Sequence, residues 1–240
     1  MAQFWVTPNP SDLGSFPNGW VARWQGNESE LSVQESAGEI YWLYAPSGGV
    51  KLFTMDTPDG NDFTAIQDVE LFFDCDFSTT NTGADGADIS PALRALRSNT
   101  RTCYAHGIRP GMEVIRLTSR VNGNFNEIDS APFPRFSEVD RRLGIRSRCV
   151  GNEQKVKWWR LGDAEPGWAL EQTDNSITAA MGVGFQAALT GGFRLFGVGV
   201  GTNGDPAPTG PVVAGAPTLS KPTATSVSAT SISFKVPVTF

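Results

Sequence analysis

The sequence predicts an all-β protein built as an antiparallel sandwich or barrel. Turn-forming clusters such as PNPSD (8–12), TPDGND (57–62) and GDAEPG (162–167) recur at short intervals. Between them lie short runs rich in Val, Ile, Phe, Trp and Thr, and helical periodicity is nearly absent. This spacing is typical of β-sandwiches and barrels, and 240 residues suit one large β-domain.

Twelve segments are predicted as strands. In chain order they span residues 31–33, 40–45, 50–55, 69–77, 102–105, 113–121, 125–128, 142–150, 155–161, 169–173, 180–187 and 193–200. Asn122-Gly123 predicts a two-residue type I′ hairpin turn because both residues tolerate positive φ angles, and Gly151-Asn152 is interpreted in the same way.

Residues 90–101 fit two kinds of element. Ser90 is a suitable helix N-cap and Pro91 suits a first helical turn, whereas residues 93–97 also alternate as a strand does. We favour the strand, because the neighbouring segments are strands and the apolar stripe of the helix would be short.

Charge is distributed unevenly along the chain. Residues 1–90 carry 14 acidic and 2 basic side chains, residues 91–160 carry 6 and 14, and residues 161–240 carry 5 and 3, for a net charge of −6. Blocks of opposite sign indicate separate domains, a polyanion-binding patch or strands that pair within one sheet. A single sandwich favours the last interpretation, and the acidic total argues against nucleic acid as a partner.

Cysteine and histidine usage excludes several kinds of site. Cys75, Cys103 and Cys149 are widely spaced and odd in number, so neither a disulfide framework nor a CxxC zinc pattern is predicted, and we expect them to act as small buried apolar residues. His106 is the single histidine, so any Ser-His-Asp, Cys-His or His-containing zinc site would have to use it. We predict instead that it lies at a strand end near a turn.

Residues 155–209 carry motifs of a known family. KVKWWRLGDAEPGWALEQTDNSITAAMGVGF, followed by FRLFGVGVGTNGDPAPT, resembles the last strands of concanavalin A-like (laminin-G-like) jelly-roll domains in bacteriophage tail and virion proteins. The opening MAQFWV and FPNGWVARW resemble their first strands, in which a Pro-x-x-Trp element begins the sandwich. The resemblance covers about residues 1–209 and implies an antiparallel concanavalin A-like jelly-roll β-sandwich.

Residues 210–240 form a second expected unit, a Pro/Ser/Thr-rich linker followed by a strand-forming tail. The tail is similar to the first two strands of a fibronectin type III or Ig-like module, and it has too few residues to bury a core of its own. We expect this β-strand extension to add to a neighbouring subunit or to the sandwich edge, unless the module is truncated.

A carbohydrate site needs exposed aromatic rings beside charged or amide side chains. Adjacent Trp158 and Trp159 must point to opposite faces of a strand. An aromatic surface with arginines around one of them would suit an acidic glycan, although pairing of the same arginines with the acidic residues of 62–76 explains the pattern too, and we favour this structural ladder. The candidate carbohydrate-binding residues are Trp158, Arg160, Arg146, Arg148 and Trp42.

Catalytic and metal sites are not predicted. Glycoside hydrolases with this fold place paired carboxylates on one strand face, and Glu70, Asp74 and Asp76 would share such a face. The Glu-x-Asp-x-x-Glu arrangement lacks its second Glu here, however, and we expect no catalytic residue and no cofactor. The acidic turns at 83–88 and 203–205 leave a structural calcium ion open, although Gly/Asp turns explain them more simply.

The expected function is that of a non-enzymatic bacteriophage virion protein, either a tail-fibre or spike component or a capsid-decorating protein. Its partners would be other virion proteins, further copies of the chain, with a trimer favoured by analogy, and host-surface glycans, but neither nucleic acid nor a membrane. It would be made in the host cytoplasm without a signal peptide and reside in the virion. Two alternatives stay open, namely a carbohydrate-binding receptor-recognition lectin and a glycan-cleaving enzyme.

Overall fold

The protein folds as a sandwich of two antiparallel sheets. The computed structural model describes residues 2–77, 88–98, 100–134, 142–188 and 191–211. Within these ranges the strands are, in chain order, β1 (Ala2–Val6), β2 (Trp20–Ala22), β3 (Leu31–Ser36), β4 (Glu39–Tyr44), β5 (Val50–Met55), β6 (Val69–Asp76), β7 (Asp88–Ala95), β8 (Cys103–Ala105), β9 (Gly107–Arg109), β10 (Val114–Val121), β11 (Asn124–Pro132), β12 (Arg142–Val150), β13 (Glu153–Arg160), β14 (Leu170–Thr173), β15 (Gly182–Ala188) and β16 (Phe193–Thr202).

The strands are shared between the two sheets. The first sheet has the order β14-β13-β12-β6-β16-β4-β3, with β1 also paired to β16. The second sheet has the order β11-β10-β8-β7-β15-β5-β2, with β9 paired to both β10 and β7. Helices in the described part of the chain are single 3-10 turns at Pro10–Asp12, Glu28–Glu30, Pro58–Gly60 and Pro110–Met112, and none of them is long and apolar enough to cross a membrane.

The predicted all-β sandwich is confirmed. Every predicted strand is present within a few residues of its expected bounds, and the ambiguous region around residues 90–101 contains strand β7, not a helix. Of the short strands outside the twelve predicted segments, β1 and β2 lie in MAQFWV and FPNGWVARW, which the resemblance relates to first strands, whereas β9 was missed. The expected tail at 210–240 lies outside the described residues beyond residue 211.

Two-residue hairpin turns form at both predicted positions, although at Gly151-Asn152 only Gly151, at 58°, has a positive φ angle, so that turn is not of type I′. Asn122 and Gly123 both have positive φ angles, 52° and 85°, as the predicted type I′ turn between β10 and β11 requires. A similar turn joins β3 to β4, where Ala37 and Gly38 have φ angles of 53° and 81°. The sequence signal for this second turn is weak, because Ala seldom adopts the left-handed region.

The core lies between the sheets and is rich in aromatic rings. Phe185 of β15 is its centre: its ring centroid lies 5.0 Å from that of Phe53, 5.4 Å from Phe193 and 5.7 Å from Tyr44. Such offset and edge-to-face pairs stabilise a core beyond the area that they bury. These contacts join β15 and β5 of the second sheet to β16 and β4 of the first.

His106 is fully buried between β8 and β9. One ring nitrogen lies 2.8 Å from Gln154 Oε1, and its Nδ1 accepts a hydrogen bond from Thr118 N at 3.2 Å. The predicted position at a strand end is therefore confirmed, and the side chain serves to link the two sheets through β13. Burial lowers the pKa of His106 to about 4.

His106 makes stability dependent on pH. In the unfolded chain the imidazole binds a proton below about pH 6.5, whereas in the folded protein it stays neutral down to about pH 4. The unfolded state therefore binds more protons in this window, and stability falls as the pH falls from 6.5 to 4. We expect wild type to lose about 3 kcal/mol more of its unfolding free energy between pH 7 and pH 4 than His106→Gln loses, as urea titrations would measure. Equal pH dependence of the two proteins would contradict this assignment.

Candidate functional site

The two predicted site arginines of β12 belong to an ion-pair ladder on the outer face of the first sheet. Arg146 Nη1 lies 2.5 Å from Glu70 Oε1, and Arg148 Nη1 lies 3.0 Å from Glu70 Oε2. Glu70 also accepts a hydrogen bond from Ala207 N at 3.0 Å and is only 2 % exposed. The structural ladder favoured by the charge pattern is therefore confirmed.

The remaining carboxylates of β6 are engaged in the same way. Glu70, Asp74 and Asp76 share the outer face, as alternation predicts, while Val69, Leu71, Phe73 and Cys75 are buried in the core. Asp74 takes a two-pronged ion pair from Arg142, with distances of 2.9 and 3.0 Å. Asp76 lies 4.0 Å from Arg194. Each acid of this strand therefore faces an arginine.

Trp158 and Trp159 do point to opposite faces of β13. Trp159 packs on Phe72 of the outer face, with ring centroids 5.3 Å apart, whereas Trp158 packs on Phe133 at 4.5 Å on the core side. Trp158 and Arg160 therefore lie on the face opposite Arg146 and Arg148, and the predicted combined surface does not form, because the register pairs Trp158 with Ile145. Both tryptophans do border a shallow groove of about 330 Å³ at the sheet edge, which is lined by Trp158, Trp159, Arg160, Asp163, Ala164 and Pro166.

Trp42, the fifth predicted residue, is only 2 % exposed and packs edge-to-face on Trp20, with ring centroids 5.3 Å apart. Both rings border a cavity of about 260 Å³ that we call the loop pocket. Its lining comes from three chain segments and consists of Thr7, Asn9, Asp12, Pro17, Asn18, Trp20, Trp42, Thr57, Pro58, Asp59 and Gly60.

Local hydrogen bonds set the walls of the loop pocket. Asn9 caps the Pro10–Asp12 turn by accepting from Ser11 N, and Asp12 Oδ2 accepts from Asn18 N at 2.9 Å. On the other side, Gly19 O accepts from Asp56 N and Thr57 N at 2.8 and 3.1 Å. The two walls are therefore tied to each other by backbone contacts.

Gly19 is the residue that permits this close approach. Its φ angle is 77°, and a Cβ atom there would lie 2.6 Å from the Cα of Pro58. Pro58 belongs to the 3-10 turn in which Asp59 has a φ angle of 51°. The turn consequently presents the exposed Asp59 side chain at the pocket rim.

The pocket combines one unsatisfied donor with several acceptors. Trp20 is 5 % exposed, and its indole Nε1 is buried without a hydrogen-bond partner among the described residues. Two carboxylates, Asp12 and Asp59, and two amides, Asn9 and Asn18, border the same space, and none of the described Lys and Arg side chains lines it. Burying an N–H group without an acceptor costs about 1–3 kcal/mol, so this arrangement is unfavourable in the absence of an added acceptor.

The sequence relates the FPNGWVARW segment to the first strands of the sandwich but gives no sign that Trp20 borders a pocket. The pocket depends on contacts between segments that are distant in sequence. Among the described residues no three His, Cys, Asp or Glu side chains converge as a metal site would require.

Comparisons with known proteins show the fold. Neither the protein-family models nor the curated proteins give a match to this sequence. Among solved structures, a Bacillus subtilis protein of unknown function with a galectin-like fold aligns with a TM-score of 0.55 at 11 % identity, covering 83 % of this chain and 94 % of its own. The carbohydrate-binding module CBM66 from Bacillus subtilis aligns at 0.54 and 10 % identity, covering 75 % and 93 %.

A third similar structure is the Bacteroides ovatus mixed-linkage glucan GH16 protein in complex with its G4G4G3G product. It aligns at 0.53 and 8 % identity, covering 79 % of this chain and 98 % of its own. The chain therefore has a concanavalin A- or galectin-like jelly-roll fold. At these sequence identities the similarity establishes the fold alone.

Removing the Glu70 charge should destabilise the protein. In Glu70→Gln, Arg146 and Arg148 lose their shared carboxylate, and Arg146 is itself only 5 % exposed. Breaking a buried ion pair by removing one partner costs about 3–5 kcal/mol, so we expect a loss of at least about 3 kcal/mol of unfolding free energy in urea titrations. Glu35→Gln, on the exposed part of β3, is the matched control and should change stability by less than about 0.5 kcal/mol. A loss below about 1 kcal/mol in Glu70→Gln would refute the ladder as a stabilising element.

Proposed function

We propose that this protein binds a saccharide in the loop pocket. The observation that carries the proposal is that the buried indole N–H of Trp20, a residue that lines the loop pocket, has no acceptor among the described residues. A sugar hydroxyl accepts from such a donor and donates in turn to a carboxylate. Asp12 and Asp59 stand in the same cavity for that second role.

The preferred sugar is a neutral one. Two carboxylates and two amides border the pocket, with no basic side chain from the described part of the chain, so an acidic sugar would meet like charge. A cavity of about 260 Å³ is at the small end of ligand pockets and fits a single sugar ring or the end of a chain. The similar CBM66 structure is by its name a carbohydrate-binding module, which supports this class of ligand.

We also propose that the protein binds its glycan without cleaving it. A glycosidase needs one carboxylic acid and one carboxylate facing the scissile bond. The three acids of β6 are instead held by arginines, and Glu70 is 2 % exposed. The carboxylates on the outer face of the first sheet therefore stabilise the sheet through ion pairs, and we do not assign them a role in hydrolysis.

A virion component remains our second proposal, and it rests on the sequence motifs of residues 155–209 and on the tail. In this proposal the sandwich is part of a bacteriophage tail fibre, spike or capsid decoration, the chain assembles as a trimer with other virion proteins, and the loop pocket contacts host-surface glycan. Saccharide binding and a place in the virion are compatible functions of one domain.

Loss of the indole N–H should weaken saccharide binding. The chain has seven Trp, and the indole signal that disappears from the ¹H–¹⁵N spectrum of Trp20→Phe identifies that of Trp20. An array of neutral and acidic glycans first identifies a glycan that the protein binds. Adding this glycan should shift the indole signal of Trp20 in wild type. We expect Trp20→Phe to weaken binding about tenfold, and Asp59→Asn to weaken it while leaving the melting temperature unchanged, because Asn tolerates the positive φ angle of 51°.

Trp24→Phe is the matched control, since Trp24 does not line the loop pocket and should leave the affinity unchanged. The bound glycan should keep its length after prolonged incubation, and its shortening would overturn the non-enzymatic proposal. If the glycan binds but the indole signal of Trp20 does not shift, the loop pocket is not the binding site.

The tail prediction is tested by truncation. If residues 210–240 mediate assembly, deleting them should convert a multimer into a monomer in sedimentation equilibrium, while the far-ultraviolet circular dichroism of the sandwich stays unchanged. A truncated chain with the oligomeric state of the full chain would refute an assembly role for this segment.

A further inference from the structure

Four arginines lie together on the outer face of the second sheet, and we call them the arginine cluster: Arg101, Arg109, Arg116 and Arg120. On β10, Arg116 and Arg120 alternate with Ile115 and Leu117, which are buried in the core, so both arginines point away from it. The cluster shares no residue with the loop pocket.

Two of these arginines share a single neutral acceptor. Gln186 Oε1 accepts hydrogen bonds from Arg101 Nε at 3.0 Å, Arg101 Nη2 at 2.6 Å and Arg120 Nε at 3.1 Å. Arg101 is only 6 % exposed. Burial and the neighbouring Arg120 lower the pKa of Arg101 to about 10. Within the described residues neither guanidinium forms an ion pair, so two positive charges converge on a neutral acceptor, and Asp88 acts on both only from beyond ion-pair distance.

The carboxylates near the cluster are used by Arg116. Its Nη2 lies 3.2 Å from Asp88 Oδ2, and its Nη1 lies 4.0 Å from Glu127 Oε2. Arg109 Nε, in contrast, is buried and has no partner among the described residues. Among the described residues, two carboxylates therefore lie beside the four guanidinium groups, and both make their ion-pair contacts with Arg116.

An aromatic ring borders the uncompensated charge. Phe125 of β11 is 46 % exposed, and the guanidinium carbon of Arg120 lies 4.5 Å from its ring centroid, with that of Arg116 at 5.8 Å. Such cation–π contacts hold the arginines in place without neutralising them. The exposed part of the ring offers an apolar surface of the kind on which sugar rings pack.

We propose that the arginine cluster is a second binding site, which takes the carboxylate or sulfate group of an acidic saccharide whose ring packs beside Phe125. Arg101 and Arg120 each retain N–H groups that do not bond to Gln186, and guanidinium forks bind oxyanions through paired N–H groups. Gln186 orients both forks and leaves the positive charge for the ligand. The site has the opposite charge preference to the loop pocket and does not depend on it.

Calorimetric titrations at constant ionic strength test the proposal with four probes: oligogalacturonate, its neutral counterpart oligogalactose, sodium sulfate and oligoglutamate. Wild type should bind oligogalacturonate saturably and oligogalactose at least tenfold more weakly at this site. Arg120→Gln should weaken oligogalacturonate binding about tenfold. Arg97→Gln is the matched control, because Arg97 follows β7 and is paired with Asp56 at 2.8 Å, and it should bind as wild type does.

Stability separates a ligand role from a structural role of the cluster. Because Arg101 and Arg120 repel each other, Arg120→Gln should melt at the same temperature as wild type or higher without ligand, and a lower melting temperature would favour a structural role and overturn the proposal. Absence of saturable binding of oligogalacturonate to wild type would also overturn it. Tighter binding of oligoglutamate than of oligogalacturonate would also overturn it, because the cluster would then be a site for an acidic peptide. Equal affinity for sulfate and oligogalacturonate would overturn it as well, because the cluster would then be a site for a free anion. Trp20→Phe should bind oligogalacturonate as tightly as wild type does, because the arginine cluster is separate from the loop pocket.

Discussion

The buried carboxylate of Glu70 is the charge around which the first sheet is organised. It lies on central strand β6 and is satisfied by Arg146 and Arg148 of β12 and by the backbone N–H of Ala207. A carboxylate that is 2 % exposed would be costly without such partners. If β6 paired one residue out of register, the Glu70 carboxylate would point into the apolar core. The pairing of Glu70 with Arg146 and Arg148, which lie far from it in sequence, therefore helps to specify the register of the sheet.

This ladder also determines which surfaces remain open to a ligand. The chain after β16 folds back over the outer face of the first sheet, where Ala207 packs with Phe72 and Trp159. Glycine is needed beneath it, because a Cβ on Gly199 would lie 2.0 Å from the carbonyl oxygen of Pro208. The face that carries the acids of β6 is thereby covered in part. Both proposed binding sites lie elsewhere, one among the loops that form the loop pocket and the other on the outer face of the second sheet.

Sequence patterns predicted most of the fold but little of the candidate sites, for a physical reason. Alternation and the Asn122-Gly123 turn are local signals, so the long strands and this hairpin were found, whereas β2 and β9 are too short to show a period. The apolar ring of Trp20 suits burial, but whether its N–H group meets an acceptor depends on loops about 40 residues away. The predicted grouping of Trp158 with Arg146 was wrong because side-chain direction follows from register, which composition does not contain.

The arrangement of the arginines argues for a ligand more strongly than their number does. Where this chain uses arginine for stability, as at Arg142 and Arg146, a carboxylate is supplied in direct contact. Arg101 and Arg120 depart from that rule, since three N–H groups converge on the one oxygen of Gln186. Apolar residues of similar size would pack there without repulsion, and buried charges are often replaced in this way without loss of stability. In the proposed site an anionic ligand would supply the negative charge that Arg101 and Arg120 lack in direct contact, and it would thereby relieve their mutual repulsion.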